Sequence, residues 1–444
     1  MSAAPLDAVL EGALERAFDR VGIPVRRRGR VREAIGTLVF ASGIDTAVGE
    51  VCDLIAPDGS SVRAEVVGVR KDGVLLTPFG PMAGVSTATE VVPCGGRHRI
   101  AVGEFLLGRI VDGFGVPIDG RAAFPAGARE LDVDAAPPHP LSRLPIDAVF
   151  TTGVRVLDAL TTVGQGQRIG LFAPAGVGKS TLLGMLARGA QADVNVIALV
   201  GERGREVREF VDHVLGAQGL SRSVLVVATS DRSAMERARA ALVATSIAEY
   251  FRAAGRNVLL MVDSITRYAR AQREIGLAAG EPPTRRGFPP SIFAALPRLL
   301  ERAGNDAHGR MTAIYTVLLE GEDVDDPIGE EVRSILDGHI VLSRQMAERN
   351  IYPAVDPLAS LSRVMSMVAA PAHRDAAGRL RSLLAKLREV EPLLQMGEYQ
   401  PGADRLADEA LRKKDHFGMF LGQRTDERTD WADMLRGLAH VATG

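Results

Sequence analysis

Gln167-Arg168-Ile169-Gly170-Leu171-Phe172-Ala173-Pro174-Ala175-Gly176-Val177-Gly178-Lys179-Ser180-Thr181 is the stretch from which the rest of the chain can be read. It predicts a short apolar strand (Ile169 to Phe172), a glycine-rich turn ending in G-K-S-T, and a helix (Thr181 to Arg188). Glycines let backbone N–H groups close around phosphate oxygens, where a Cβ would obstruct them. Lys179 can then reach the β- and γ-phosphates, Ser180 can ligate Mg²⁺, and the helix N-terminus adds partial positive charge. A turn that merely joins strand to helix is the alternative, and Ala173 stands where such loops usually open with glycine. The G-K-S-T wording between strand and helix favours the phosphate site.

The 444 residues exceed one ordinary core, so several domains are expected. A hydrophobic share of 46%, a charged share of 24% and a net charge of −2 describe a globular protein without general attraction to nucleic acid. Cys52 and Cys94 alone build neither a disulfide framework nor a metal site. Leu6, Val9, Leu10, Leu14 and Phe18 suggest a short amphipathic helix within Met1 to Arg20, not a signal peptide. No continuous apolar run approaches the ~20 residues that span a bilayer, so a cytoplasmic location is expected.

Beyond the basic cluster at Arg26–Arg30, short strands are expected up to about Val92, among them Gly36 to Phe40, Ser61 to Val69 and Gly73 to Leu76. Asp58-Gly59 and Asp72-Gly73 signal hairpins, and a small β-barrel closes such strands. Pro117 to Pro145 reads as an extended connection, with His139 structural. From the phosphate loop onward, strands at Val194 to Val200, Ser223 to Ala228, Val258 to Val262, Thr312 to Leu319 and His339 to Leu342 alternate with helical patterns such as Ser233 to Ala253. That alternation predicts a mainly parallel sheet with helices on both faces and ligands at the C-terminal strand ends. From about Asp375, Leu380, Leu383, Leu384 and Leu387 recur at helical spacing, and helical patterns continue through Val441.

Two carboxylates fall where chemistry would use them. Asp263 ends the Val258 to Val262 strand, the position of an NTPase Mg²⁺-side acid. Glu202 follows Val194 to Val200 in Gly201-Glu202-Arg203-Gly204-Arg205-Glu206 and would share the edge of Lys179 and Asp263, where it could orient water. Taken alone, an acid in such a turn is more often a helix N-cap.

Five motifs in order, A-P-A-G-V-G-K-S-T, G-E-R-G-R-E, N-V-L-L-M-V-D-S-I-T-R-Y-A-R-A-Q-R-E, G-E-P-P-T-R-R-G-F-P-P-S-I-F and N-I-Y-P-A-V-D-P-L-A-S-L-S-R-V-M, resemble the export ATPases of type III secretion systems. That family covers injectisome and flagellar enzymes, relatives of the catalytic subunit of rotary ATP synthases. The resemblance implies an α/β fold: a RecA-like P-loop ATPase core (96–372), an N-terminal small β-barrel (25–95) behind a helix (1–24), and a C-terminal helical domain (373–444). It further implies a homohexamer that hydrolyses ATP with Mg²⁺ to energise protein export, acting on chaperone–substrate complexes at the inner-membrane export gate beside stator and central-stalk proteins.

By the same resemblance, Ala175, Gly176, Val177, Gly178, Lys179, Ser180, Thr181 and Arg203 hold nucleotide, and Ser180 and Asp263 hold Mg²⁺. Glu202 polarises water, Arg363 is an arginine finger given to the adjacent subunit, and Tyr352 stacks on adenine. Without it, Tyr352 reads as a core aromatic and Arg363 as a surface arginine. The Gly276 to Pro290 loop, with Arg285 and Arg286, matches the family segment facing the ring's centre. Residues 403 to 411 look closer to the injectisome branch, and Thr425 to Gly444 run past the expected family ending.

Overall fold

The hairpins signalled at Asp58-Gly59 and Asp72-Gly73 belong to a closed six-stranded barrel in the computed structural model of the chain, which describes residues 27–319 and 326–443. The helix expected within Met1 to Arg20 lies outside the described residues. The barrel strands are β1 (Gly29–Ile35), β2 (Leu38–Ser42), β3 (Glu50–Ile55), β4 (Ser61–Arg70), β5 (Gly73–Pro78) and β6 (Glu90–Arg97), paired antiparallel in the order β1-β2-β5-β4-β3-β6. Val39, Ala41, Cys52, Leu54, Ala64, Val66, Val74 and Leu76 alternate inward to fill it. Gly73 is required by close packing, since a Cβ there would lie 2.1 Å from the Ala41 carbonyl oxygen. The strand expected from Gly36 begins at Leu38 instead, because Gly36, at φ +60°, makes the turn out of β1. Arginine-rich wording had hidden β1. Both cysteines are free, and burial pushes the Cys52 thiol up to about 12.

The described residues separate into two compact units, one ending at His98 and the other starting at Arg99. In the second unit, β7 (Arg99–Ala101) pairs with β9 (Glu130–Asp132), so the proline-rich connection contains a strand that composition concealed. His139 accepts a hydrogen bond from the Leu141 N–H at the start of a single 3₁₀ turn.

The main sheet contains β8 (Ile110–Asp112), β10 (Arg168–Pro174), β11 (Val194–Val200), β12 (Ser223–Ala228), β13 (Asn257–Asp263), β14 (Arg310–Leu319), β15 (Gly338–Val341) and β16 (Leu361–Ser362). Its order is β16-β15-β10-β14-β13-β11-β12-β8, parallel throughout except for β16. The expected strands all occur, displaced by two residues at most, while the short edges β8 and β16 carry too little pattern to be read. The run Val-Asn-Val-Ile-Ala-Leu-Val of β11 explains the layering. Val196, Ala198 and Val200 face one apolar cluster, and Ile197 and Leu199 face another.

The helices are α1 (Arg155–Leu160), α2 (Lys179–Gly189), α3 (Gly204–Glu209), α4 (Gly216–Ser221), α5 (Ala234–Ala253), α6 (Ile265–Ala278), α7 (Pro290–Leu300), α8 (Pro327–Ile335), α9 (Arg344–Glu348), α10 (Met365–Val368), α11 (Pro371–Gln395), α12 (Arg405–Arg412), α13 (Lys414–Leu421) and α14 (Trp431–Thr443). Core side chains of α5, α6 and α7 join the first cluster, and those of α2 and α11 the second. Leu380, Leu383 and Leu387 are the buried stripe of α11. Parallel strands deliver β10, β11, β13 and β14 to one edge with their C-terminal ends together.

Candidate active site

That shared edge is where the predicted phosphate loop meets Lys179, Glu202 and Asp263. Gly176 and Gly178 have φ +81° and +88°, the left-handed backbone that glycine adopts without strain, and they bend the chain from β10 into α2. Ala173 belongs to β10, paired with Leu318 in ordinary strand register, so glycine is unnecessary there. Ala175, Gly176, Ser180 and Thr181 are exposed around the loop, while Val177 is buried and anchors it.

Lys179 bridges the two predicted acids. Its Nζ lies 3.2 Å from Glu202 Oε1 and is hydrogen-bonded to Asp263 Oδ1. Asp263 is 2% exposed and accepts a second hydrogen bond from Thr316 Oγ1 at 2.7 Å. Glu202 is 8% exposed, and its other oxygen pairs with Arg267 at 3.3 Å. Glu202 is not the N-cap of α3: Arg203 takes that position, without a side-chain cap bond. Glu202 is thus a buried carboxylate facing two cations. Arg203 is largely exposed and pairs with Glu206 at 3.5 Å, so Arg267, not Arg203, is the guanidinium that reaches Glu202.

Tyr352 is 42% exposed and stands beside the loop: a Cβ on Gly178 would lie 3.7 Å from its ring. The core reading of this tyrosine is therefore excluded. It lines an open cleft of about 610 Å³ whose other walls include Thr181, Ile351, Met419 and Gln423. Sequence reasoning missed Gln423, Arg267 and Thr316. Arg267, four residues after Asp263 in the first turn of α6, was open to inspection by spacing, whereas Gln423 carried no local signal.

Arg363 lies elsewhere. Its N–H donates to the Asp337 carbonyl, and the Asp337 N–H donates to the carbonyl of Arg168, the first residue of β10. The phosphate loop begins after Pro174, the last residue of β10, about 20 Å away at ~3.3 Å per residue. Arg363 is exposed at that far end, next to the exposed Leu361 of edge strand β16.

The donor set suits a hard cation shared with phosphate. Ser180 and Asp263 offer oxygen ligands, and among the described residues no group of three or more His, Cys, Asp or Glu could cage a metal alone.

Comparison with known proteins decides the family. Three family models match in order: the ATP synthase alpha/beta family beta-barrel domain over residues 31–95, the nucleotide-binding domain of that family over 153–362, and the T3SS EscN ATPase C-terminal domain over 369–440. A type 3 secretion system ATPase of Xanthomonas euvesicatoria is 56% identical over 434 residues, covering 98% of each chain. The chain belongs to the type 3 secretion system ATPase family. A flagellum-specific ATP synthase of Bacillus subtilis is 49% identical, covering 90% of this chain and 92% of its own. The assembled ATPase EscN of enteropathogenic E. coli superposes with a TM-score of 0.89 at 48% identity, over 94% of this chain and 100% of that one. EscN in complex with its central stalk EscO gives 0.87 at 47% identity, with the same coverage.

As a member of this family the chain is a nucleotide-binding ATPase that energises protein secretion. The expectation that Thr425 onward runs past the family ending is corrected, because the C-terminal family model extends to residue 440. Among the described residues no helix is long and apolar enough to cross a membrane.

Proposed function

We propose that ATP is hydrolysed at sites shared between neighbouring copies of the chain in a homohexameric ring, and that ring motion releases and unfolds chaperone-bound substrates at the export gate. The observation that carries this reading is a separation within one chain: Lys179, Glu202 and Asp263 gather at one end of β10, and Arg363 stands at the other. An arginine so far from its own phosphate loop serves the loop of a neighbour.

In this reading the backbone N–H groups from Gly176 to Thr181 and the Lys179 ammonium hold the phosphates. Ser180 and Asp263 would hold Mg²⁺, which would supply positive charge to neutralise the phosphates. Once phosphate engages Lys179, Glu202 turns to orient the attacking water, which adds to the γ-phosphorus as the bond to ADP breaks. Arg363 from the adjacent copy meets the charge spread over the transferred group, an interaction worth ~10³ to 10⁵ in rate. Tyr352 stacks on adenine, and Arg203 completes the nucleotide ligands by turning from Glu206.

The exposed Arg285 and Arg286 face a central stalk in the ring, supported by the EscN–EscO complex among solved relatives. The chain works at the cytoplasmic face of the inner membrane as a peripheral component beside stator proteins. The flagellar branch is the second reading, favoured by the 49% identity to a flagellum-specific enzyme; 56% identity to a type 3 secretion ATPase sets the injectisome first. A non-catalytic nucleotide-binding subunit is disfavoured by Glu202 beside Lys179.

The test is ATP turnover against protein concentration for the intact chain, Glu202→Gln, Arg363→Ala and an equimolar mixture of the two variants. Specific activity that rises with concentration, falls in each variant by ~10² or more and partly returns on mixing is expected. Activity independent of concentration that survives Arg363→Ala would overturn the composite site.

A further inference from the structure

The cleft beside Tyr352 is walled by residues 350–352 and 418–427, and one buried glutamine of the second wall ties it to the first through its backbone and to the Gly153–Arg155 turn through its side chain. Gln423 is 6% exposed. Its backbone N–H donates to the Tyr352 carbonyl at 2.7 Å. Its Nε2 donates to the carbonyl of Gly153 at 2.8 Å and to that of Glu427 at 2.9 Å, while its Oε1 accepts from the Arg155 N–H at 2.7 Å. Both side-chain donors and the acceptor are thus used, in a setting that excludes water. Around it, the Arg155 guanidinium donates to the carbonyls of Phe420 and Gly422 at 3.3 and 3.2 Å and is paired with the Glu427 carboxylate.

We propose that Gln423 is a positioning residue for the nucleotide base: it fixes Tyr352 and the 419–427 wall against the Gly153–Arg155 turn, so that binding of the base requires this clamp. The inference rests on the reading of the cleft as the adenine site. Gln423 reaches neither the phosphate loop's Lys179 nor either acid, so its contribution belongs to the base and not to the triphosphate. Removing the carboxamide takes a partner from the Glu427 carbonyl and the Arg155 N–H, leaves the Gly153 carbonyl only the 3.5 Å bond from the Thr429 N–H, and loosens the wall. Through the same clamp, the C-terminal helical segment is tied to the nucleotide it borders.

The experiment compares MgATP with magnesium tripolyphosphate, which lacks base and ribose, on the full-length protein. Dissociation constants are measured for the unmodified chain, Gln423→Met, Tyr352→Ala and the double variant, with thermal melting alongside. Met keeps the length and removes every side-chain hydrogen bond. Gln423→Met is expected to weaken ATP by about tenfold and tripolyphosphate by less than about twofold, to raise KM more than it lowers kcat, and to add little to Tyr352→Ala. Equal weakening of both ligands, unchanged ATP affinity or full additivity with Tyr352→Ala would each overturn the positioning role. If the unmodified chain held ATP no more tightly than tripolyphosphate, the adenine reading of the cleft would fall instead. Should Gln423→Met not fold, Gln423→Glu, which keeps shape and acceptor but loses the donors, is judged by the same ratio.

Discussion

The phosphate end of the proposed site and the cleft proposed for the base are built in opposite ways. At the phosphate end, each group sits within three residues of the tip of a buried parallel strand or opens the helix that follows it: Glu202 after β11, Asp263 closing β13, Lys179 at the start of α2. One strand order places them, and the parallel sheet does so whatever the loops contain. The base cleft has no such frame. Its walls come from Thr181, the Ile351–Tyr352 turn and the segment after α13, held together by side chains that reach hundreds of residues along the chain. A sheet-edge site can therefore tolerate loop change, whereas the cleft depends on individual hydrogen bonds.

The sharpest way to break that contrast is at its strongest point. Lys179→Ala removes the cation lying between Glu202 and Asp263 and leaves two buried carboxylates facing each other. Loss of a donor aimed at developing phosphate charge is expected to lower kcat/KM by about 10² to 10³ or more, in steady-state ATP turnover. A loss below tenfold would mean that the sheet edge does not carry the chemistry.

Tyr352→Ala should act more weakly and on the other term. Stacking on a base is worth roughly 1 to 3 kcal/mol, so KM for ATP should rise by about 5- to 150-fold while kcat falls far less. Tyr352→Phe keeps the ring and should stay within about threefold of the unmodified chain. A matching loss in both variants would show that the hydroxyl, not the face, is used.

The same contrast governs what could be read before any coordinates. Strands such as Val194–Val200 announce themselves because both faces are buried and the run is continuously apolar. The placement of Glu202 and Asp263 beside Lys179 was legible because a parallel sheet brings its strand ends to one edge. Tyr352 and Arg363 could be assigned only through family resemblance: neither a 42%-exposed tyrosine nor an arginine after a two-residue edge strand has a local pattern. Arg267 went unread although helical spacing from Asp263 put it within reach of Glu202. Gln423 and Arg155 were beyond reach, since their partners lie about 270 positions apart in sequence and only the packed chain brings them together. Gly29–Ile35 failed for a different reason. Five of its seven residues are exposed, and a strand so wet, with basic side chains, loses the apolar signature.

The smallest expected effect concerns the turn that Gln423 grips. Asp158 of α1 accepts hydrogen bonds from the N–H and hydroxyl of Thr152, at 2.8 and 2.7 Å, and from the N–H of Gly153 at 3.0 Å. Burial outweighs these bonds and pushes its carboxyl up to about 7. An unfolded aspartate releases its proton near pH 4, so between about pH 4 and 7 the folded chain binds more protons than the unfolded one. Stability accordingly declines as pH rises through that window, by at most about 1.4 kcal/mol per pH unit, and levels off above it. Asp158→Asn cannot titrate and should flatten this part of the profile in denaturant unfolding from pH 4 to 8, although its amide, now facing backbone donors, lowers stability at every pH. An unaltered slope in the variant would assign the decline to other groups. A flattened slope accompanied by a change in ATP affinity, with tripolyphosphate affinity unmoved, would instead join the Thr152–Gly153 turn to the base cleft, and the division between the two ends of the site would then extend to their response to pH.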